Sequence, residues 1–169
     1  LFDFRAAFPS VEREFLLDSI RWTGMPEEEI NFDTALYDKT KAAVRHGGES
    51  GDQFAMERGI RQGCPLSPYL FLIVMTVMFH DIHEHDKLKL APHRIRGMEV
   101  DEVLYADDTI CISTNTKAMN RLLKAIENES AKYGLKLNKT KCEVIKFGGT
   151  ADIHFADGTK VPIQEEAKY

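Results

Sequence analysis

Three carboxylates stand out for their setting. Asp3 lies inside the apolar run Leu1-Phe2-Asp3-Phe4, and Asp107-Asp108 follow Tyr105-Ala106 between the strand-like stretches Glu102-Val103-Leu104 and Thr109-Ile110-Cys111-Ile112. Acidic residues set among strand-forming apolar ones are drawn towards a packed sheet, where desolvating unpaired charge is very costly. A cation offsets that cost, and hard oxygen donors favour a divalent one. An isolated Asp-Asp is equally a solvated surface turn, because Asp tolerates the left-handed backbone that tight hairpins require. The surroundings of the pair decide between the two readings.

Two more blocks accompany the carboxylates. Phe8-Pro9-Ser10-Val11 opens a helix directly after Asp3, and Gly59-Ile60-Arg61-Gln62-Gly63-Cys64-Pro65-Leu66-Ser67-Pro68 leads into a long apolar helix. By themselves they are ordinary: Phe8 suits a core, and Gly-Cys-Pro-Leu-Ser-Pro suits a helix-start loop with Ser67 as its cap. In this order and spacing, and with Tyr-Ala-Asp-Asp, they resemble the palm motifs of reverse transcriptases. The resemblance is nearest to those of non-LTR (LINE-type) retrotransposons and covers almost the whole chain.

That resemblance implies RNA-directed DNA polymerisation by nucleotidyl transfer. A primer 3′ hydroxyl attacks an α-phosphate in line, and two metal ions about 3.5–4 Å apart stabilise the attacking and leaving oxygens. It assigns Asp3, Asp107 and Asp108 as catalytic, with the Phe4 backbone carbonyl as a further metal oxygen, Mg2+ as the cofactor (two ions) and Mn2+ as a substitute. Phe8 takes the place of the aromatic ring under the incoming sugar, which excludes a 2′ hydroxyl by bulk. The amides of Ala6 and Ala7 receive the triphosphate, since successive backbone N–H groups form anion-binding concavities. Gln62 and Gly63 line the nucleotide pocket, glycine allowing close backbone approach. Arg61 contacts template or phosphate. In Leu137-Asn138-Lys139-Thr140-Lys141, position favours Lys141 over Lys139 as the lysine that meets the leaving pyrophosphate. The family often has lysine where Ala6 stands and aspartate where Pro9 stands, and neither departure removes the chemistry, as proline suits a first helical position.

A helix is predicted from Ser10 to Trp22 and ended by Gly24 and Pro26, with Glu12 and Glu14 favoured near its positive end. A second runs from about Glu27 to Thr40. Ala43 to Ala55 reads as a hairpin turning at His46–Gly51. Pro68 begins a buried helix, apolar all round over Leu70–Met75. Its histidine-rich end, His80 to Asp86, matches no recognised zinc spacing and reads as a solvated helix end. An amphipathic helix spans Thr116 to Tyr133 with Gly134 as its stop. Leu135–Leu137 and Glu143–Phe147 read as strands, and Ile153–Val161 as a hairpin turning at Ala156–Thr159. The order is α+β, a mostly antiparallel palm-type sheet packed on helices with part of the fingers.

With 169 residues, 43% of them apolar, the chain can build one core. Three cysteines, Cys64, Cys111 and Cys142, are odd in number and lack metal spacing, which fits a reducing intracellular compartment. The run from Tyr69 to Phe79 is too short for a bilayer, so a soluble protein without membrane contact is expected. A net charge of −5 opposes a free-standing nucleic-acid binder. The basic surface is expected in the missing remainder of a longer protein, because Leu1 begins within one strand and Tyr169 ends within another. Residues 1–169 thus read as a single palm and fingers fragment, truncated at both ends, without thumb or N-terminal fingers. The expected partners are an RNA template, a DNA primer and deoxynucleoside triphosphates. Nuclear action follows from how such elements prime on chromosomal DNA, with the cytoplasm as the other compartment. Two rivals stay open: an inactive or domesticated copy serving as a binding scaffold, and another palm enzyme such as an RNA-templated RNA polymerase or nucleotide cyclase. Phe8 speaks against the latter.

Overall fold

A computed structural model describes residues 1–85, 102–148 and 152–166. Its elements are α1 (Ala7–Ser10), α2 (Arg13–Trp22), α3 (Glu27–Tyr37), β1 (Lys41–His46), β2 (Glu49–Ala55), α4 (Ser67–His85), β3 (Glu102–Tyr105), β4 (Asp108–Cys111), α5 (Thr116–Lys132), β5 (Val144–Ile145) and β6 (Ile163–Gln164).

A small antiparallel layer carries the site. β3 and β4 form a hairpin, Phe2 pairs with Thr109 of β4, and Phe4 pairs with Leu137. The layer order is therefore β3, β4, segment 1–5, segment 135–138. Segment 1–5 is held on both sides. Phe2 and Thr109 exchange N–H···O bonds of 2.8 and 3.1 Å, while Arg5 N–H donates to Lys136 at 2.8 Å and Asn138 N–H to the Asp3 carbonyl at 2.7 Å. Alternation sends Phe2, Phe4 and Leu137 into one core with Leu16 and Ile20 of α2, Phe71, Met75 and Met78 of α4, and Leu122 and Ile126 of α5. These parts make the mixed α+β fold.

α4 buries Leu70, Phe71, Val74, Met75, Val77, Met78, Phe79 and Ile82, as its apolar composition implies, while Tyr69 and Leu72 are its exposed large apolar residues. At its histidine-rich end His83 hydrogen-bonds Glu102 at 3.2 Å. Among the described residues no metal-holding group of His, Cys, Asp or Glu occurs there, and Asp86 lies outside them. α5 starts at Asn115, whose side-chain oxygen accepts from the N–H groups of Lys117 and Ala118. It stops at Gly134, with φ +79°.

Four expectations need correction. The helix from Ser10 is broken, because Val11 and Glu12 are extended. Tertiary bonds claim both: Gly59 N–H donates to the Val11 carbonyl at 2.7 Å and Glu12 N–H to that of Tyr133 at 2.9 Å. The β1–β2 turn is not six residues but Gly47-Gly48, with φ +60° and +89°, which suits a two-residue hairpin loop. In the β3–β4 hairpin the loop is Ala106-Asp107; Asp108 already belongs to β4, opposite Tyr105. The strand expected at Glu143–Phe147 shrinks to two residues that pair in parallel with β6. The hairpin at 153–161 forms, with Val161 N–H donating to the Ile153 carbonyl at 2.9 Å.

Candidate active site

Asp3 stands one residue beyond Phe2, so the antiparallel register at Phe2–Thr109 sets it beside Asp108, at the start of β4. Its side chain is 17% exposed. Oδ2 is buried and has no hydrogen-bond partner among the described residues. The nearest cation is Lys141, with Nζ 3.6 Å from that oxygen, too far for a hydrogen bond. A buried carboxylate oxygen without a donor is a costly arrangement unless a cation meets it. Asp107 is half-buried in the loop and Asp108 is exposed.

The backbone thus brings the Asp3 strand against the hairpin that carries the pair. It does not close a cage: among the described residues no three acidic, His or Cys side chains are gathered tightly enough to hold a metal ion. Three carboxylates repel one another, and only a cation makes their convergence favourable. The donor set fits a hard divalent ion, being all oxygen and including one orphaned acceptor.

Backbone strain marks the same two places. Ala6 (φ +43°), Lys39 (φ +49°) and Ala106 (φ +53°) are the positive-φ residues other than glycine among those described. Two of them flank the carboxylates. Each costs about 1–2 kcal/mol that surrounding structure must offset. Ala6 is left-handed and Ala7 helical, an alternation that turns successive N–H groups to one side.

Phe8, Gln62 and Gly63 do come together. They line one open cleft of about 400 Å³ with Cys64, Pro65, Ser67 and Pro68. Ile60 N–H donates to the Phe8 carbonyl at 2.8 Å, which moors the start of the Gly59–Pro68 loop to the turn after Asp3. At Gly59 (φ +87°) a Cβ would lie 2.6 Å from the Pro9 carbonyl oxygen, so only glycine permits this approach. At Gly63 (φ +86°) a Cβ would meet nothing within 4 Å; glycine there serves its backbone conformation and leaves the cleft open. The Ser67 hydroxyl donates to the Arg61 carbonyl, closing the loop rather than capping α4.

Arg61 is turned away from the cleft. Its Nη2 donates to the Leu36 carbonyl at 2.6 Å and to Thr40 at 3.2 Å, beside Arg13, whose Nη1 donates to the Tyr37 carbonyl at 2.7 Å. Two guanidinium groups thereby satisfy carbonyls at the end of α3. The lysines also separate. Lys139 is clamped by Asp157 at 2.8 Å and Glu127 at 3.2 Å, and these bonds push its pKa up. Lys141 is exposed and faces Asp3. Residue types alone did not reveal the ring stack of Phe8 on Phe71 or the Gly59–Pro9 contact; both need the fold.

The antiparallel layer thus holds carboxylates on two adjoining backbone segments, and the turn after Asp3 leads to the cleft that Phe8 borders. The chain belongs to the reverse transcriptase (RNA-dependent DNA polymerase) family, whose sequence model matches residues 1–169. It is 28% identical over 145 residues to the retrovirus-related Pol polyprotein from type-1 retrotransposable element R2 of Nasonia vitripennis, covering 86% of this chain and 14% of that protein. It is 26% identical over 147 residues to the corresponding polyprotein from type-2 element R2DM of Drosophila melanogaster, covering 87% and 13%. Similarity extends to the transposon TX1 uncharacterized 149 kDa protein of Xenopus laevis, 24% over 146 residues, covering 82% and 10%. The chain thus spans about a seventh of the length of the first two relatives. These relatives bear out the expected kinship with non-LTR elements. No helix among the described residues is long and apolar enough to cross a membrane.

Proposed function

We propose that this chain is the nucleotidyl-transfer core of an RNA-directed DNA polymerase from a LINE-type retroelement, extending a DNA primer with deoxynucleotides on an RNA template. One observation carries the reading. The strand holding Asp3, with its orphaned Oδ2, is hydrogen-bonded directly to β4 behind Asp107-Asp108, and the turn that follows Asp3 feeds the Phe8 cleft.

Asp3, Asp107 and Asp108, with the Phe4 carbonyl, would hold divalent ions, Mg2+ or in its place Mn2+. Bound there, the ions supply Lewis-acid stabilisation of phosphate oxygens and a more acidic primer hydroxyl. The chain's own residues do the rest. The Ala6 and Ala7 amides receive the triphosphate. Phe8 lies under the sugar and rejects a 2′ hydroxyl by bulk, while Gln62 and Gly63 border the base pair. Lys141, whose Nζ lies 3.6 Å from Asp3 Oδ2, would offset charge on the departing pyrophosphate. Arg61 serves the template only by leaving its α3 carbonyls, so its structural role is the stronger one.

The whole polymerase needs more than this chain, whose net charge of −5 offers little to a phosphate backbone. In this reading a thumb, further fingers and basic flanks, and nuclear action on chromosomal DNA, would come with a longer polypeptide of the kind its relatives are. The test is primer extension by the full-length polypeptide on RNA and DNA templates with magnesium, beside Asp107→Ala. Deoxynucleotide incorporation on RNA that vanishes in the variant supports the reading. A well-folded wild type that incorporates nothing overturns it in favour of a decayed scaffold.

A further inference from the structure

The Phe8 ring is stacked on Phe71, with centroids 4.5 Å apart and planes 15° from parallel. Phe71 lies in the first turns of α4 and is fully buried. It is not among the residues that line the cleft, whereas Phe8 is. One ring face of Phe8 is therefore taken by Phe71, and what remains borders the cleft. Phe8 is also fixed at its backbone, where its carbonyl accepts the Ile60 N–H at 2.8 Å.

A steric gate discriminates only as sharply as its position is defined. A ring free to swing about χ1 would open room for a 2′ hydroxyl in part of its rotamer population. The stack removes that freedom from behind, because a near-parallel aromatic partner resists tilting in a way that an aliphatic side chain of equal bulk does not. We infer that Phe71 is a positioning residue for sugar selection: it touches neither nucleotide nor metal, and it sets how strictly Phe8 excludes ribonucleotides. The inference rests on the proposed role of Phe8 as the sugar gate.

The experiment measures incorporation of ribonucleotides and deoxynucleotides by the full-length polymerase as a ratio of kcat/KM values. Phe71→Leu removes the ring, Phe71→Met keeps nearly the volume without a flat face, Phe8→Val tests the gate itself, and Met75→Ala disturbs the same buried helix one turn on. Phe8→Val is expected to shift the ratio towards ribonucleotides by roughly tenfold or more, the scale on which a pocket senses one small group. Both Phe71 variants are expected to shift it in the same direction by roughly threefold, mainly through a lower ribonucleotide KM, since a partly mobile gate is a partly open one. Met75→Ala should leave the ratio unaltered whatever it does to stability, because a ratio of two substrates on one enzyme cancels the fraction folded. If Phe8→Val shifts the ratio and the Phe71 variants leave it at the wild-type value, or shift it no more than Met75→Ala, the inference fails while the gate stands. If Phe8→Val itself leaves it unchanged, the gate fails and the inference falls with it. Should Phe71→Leu not fold, Phe71→Met supplies the same reading.

Discussion

Residues 1–12 and the β1–β2 hairpin are both short chain segments, yet they are held in opposite ways. The hairpin pairs only with itself among the described strands, and of its strand residues Ala42 alone escapes full exposure. Residues 1–12 make backbone hydrogen bonds to Thr109, Lys136, Asn138, Glu143, Tyr133, Gly59 and Ile60. Asp3, Ala6, Ala7 and Phe8 of the expected site lie on residues 1–12, and none of the expected site residues lies on the hairpin. Nucleotidyl transfer needs its groups held in place before the substrates arrive, and a strand fixed by neighbours on each side provides that. The hairpin's strands pair with no strand of the layer that carries those groups.

The largest effect that sharpens this contrast is catalytic. Asp3→Asn keeps the strand's hydrogen bonds and removes a charge, so polymerisation should fall about a thousandfold, the rate equivalent of several kcal/mol of charge stabilisation. The denaturation midpoint should move little. Reversing the charge beside the hairpin turn, as in Glu49→Lys, should leave single-nucleotide kcat within about threefold, as expected of an exposed position away from the site.

Next comes a pair of glycines. Gly59 and Gly48 share positive φ values of 87° and 89°. A methyl at Gly59 collides with the Pro9 backbone, whereas at Gly48 it meets nothing within 4 Å. Gly59→Ala should destabilise by on the order of 3 kcal/mol and lower activity, as strain and overlap add. Gly48→Ala should cost about 1 kcal/mol from backbone conformation alone. Equal costs in urea denaturation would mean that the strap around residues 8–12 is not tighter than the hairpin.

The two lysines give a smaller split. Lys141→Ala should lower kcat by roughly ten- to a hundredfold, at or below the lower end for a lost proton donor or charge partner, with stability unchanged. Lys139→Ala should lower the denaturation midpoint and spare kcat. A reversed pattern would reassign the pyrophosphate lysine.

The smallest effect is on acid stability. Lys160 and Lys146 hold the Asp152 carboxyl at about 2, and Lys139 with the Thr159 N–H holds that of Asp157 at about 2. Depressed pKa values contribute stability that is complete above the ordinary carboxylate range and lost as pH falls through the folded value. The denaturation midpoint should therefore drop between about pH 4 and 2, and less steeply in Asp157→Asn.

Much of this site was legible because its parts are local in sequence. The runs around Asp3 and Asp107-Asp108 announce strands, Pro68 announces α4, and the spacing of the Gly59–Pro68 block carries the family kinship. What could not be read depends on distant partners. Val11 and Glu12 have helix-compatible residue types, yet bonds from Gly59 and to Tyr133 pull them straight. Arg61 sits in a nucleotide-pocket motif, yet the unsatisfied carbonyls of α3 take its guanidinium. Nothing in a single aromatic residue says that Phe8 and Phe71 will stack, since they are brought together only when α4 packs behind the turn.

If the strand of Asp3 and the hairpin of Asp107 form one site, their contributions are coupled. A double-mutant cycle on Mn2+ affinity and on primer extension, with Asp3→Asn, Asp107→Asn and both together in the full-length polypeptide, tests that coupling most directly. One site predicts that each single change loses nearly as much as the pair, leaving a large coupling term. Losses that simply add would show two independent carboxylates and contradict the shared site.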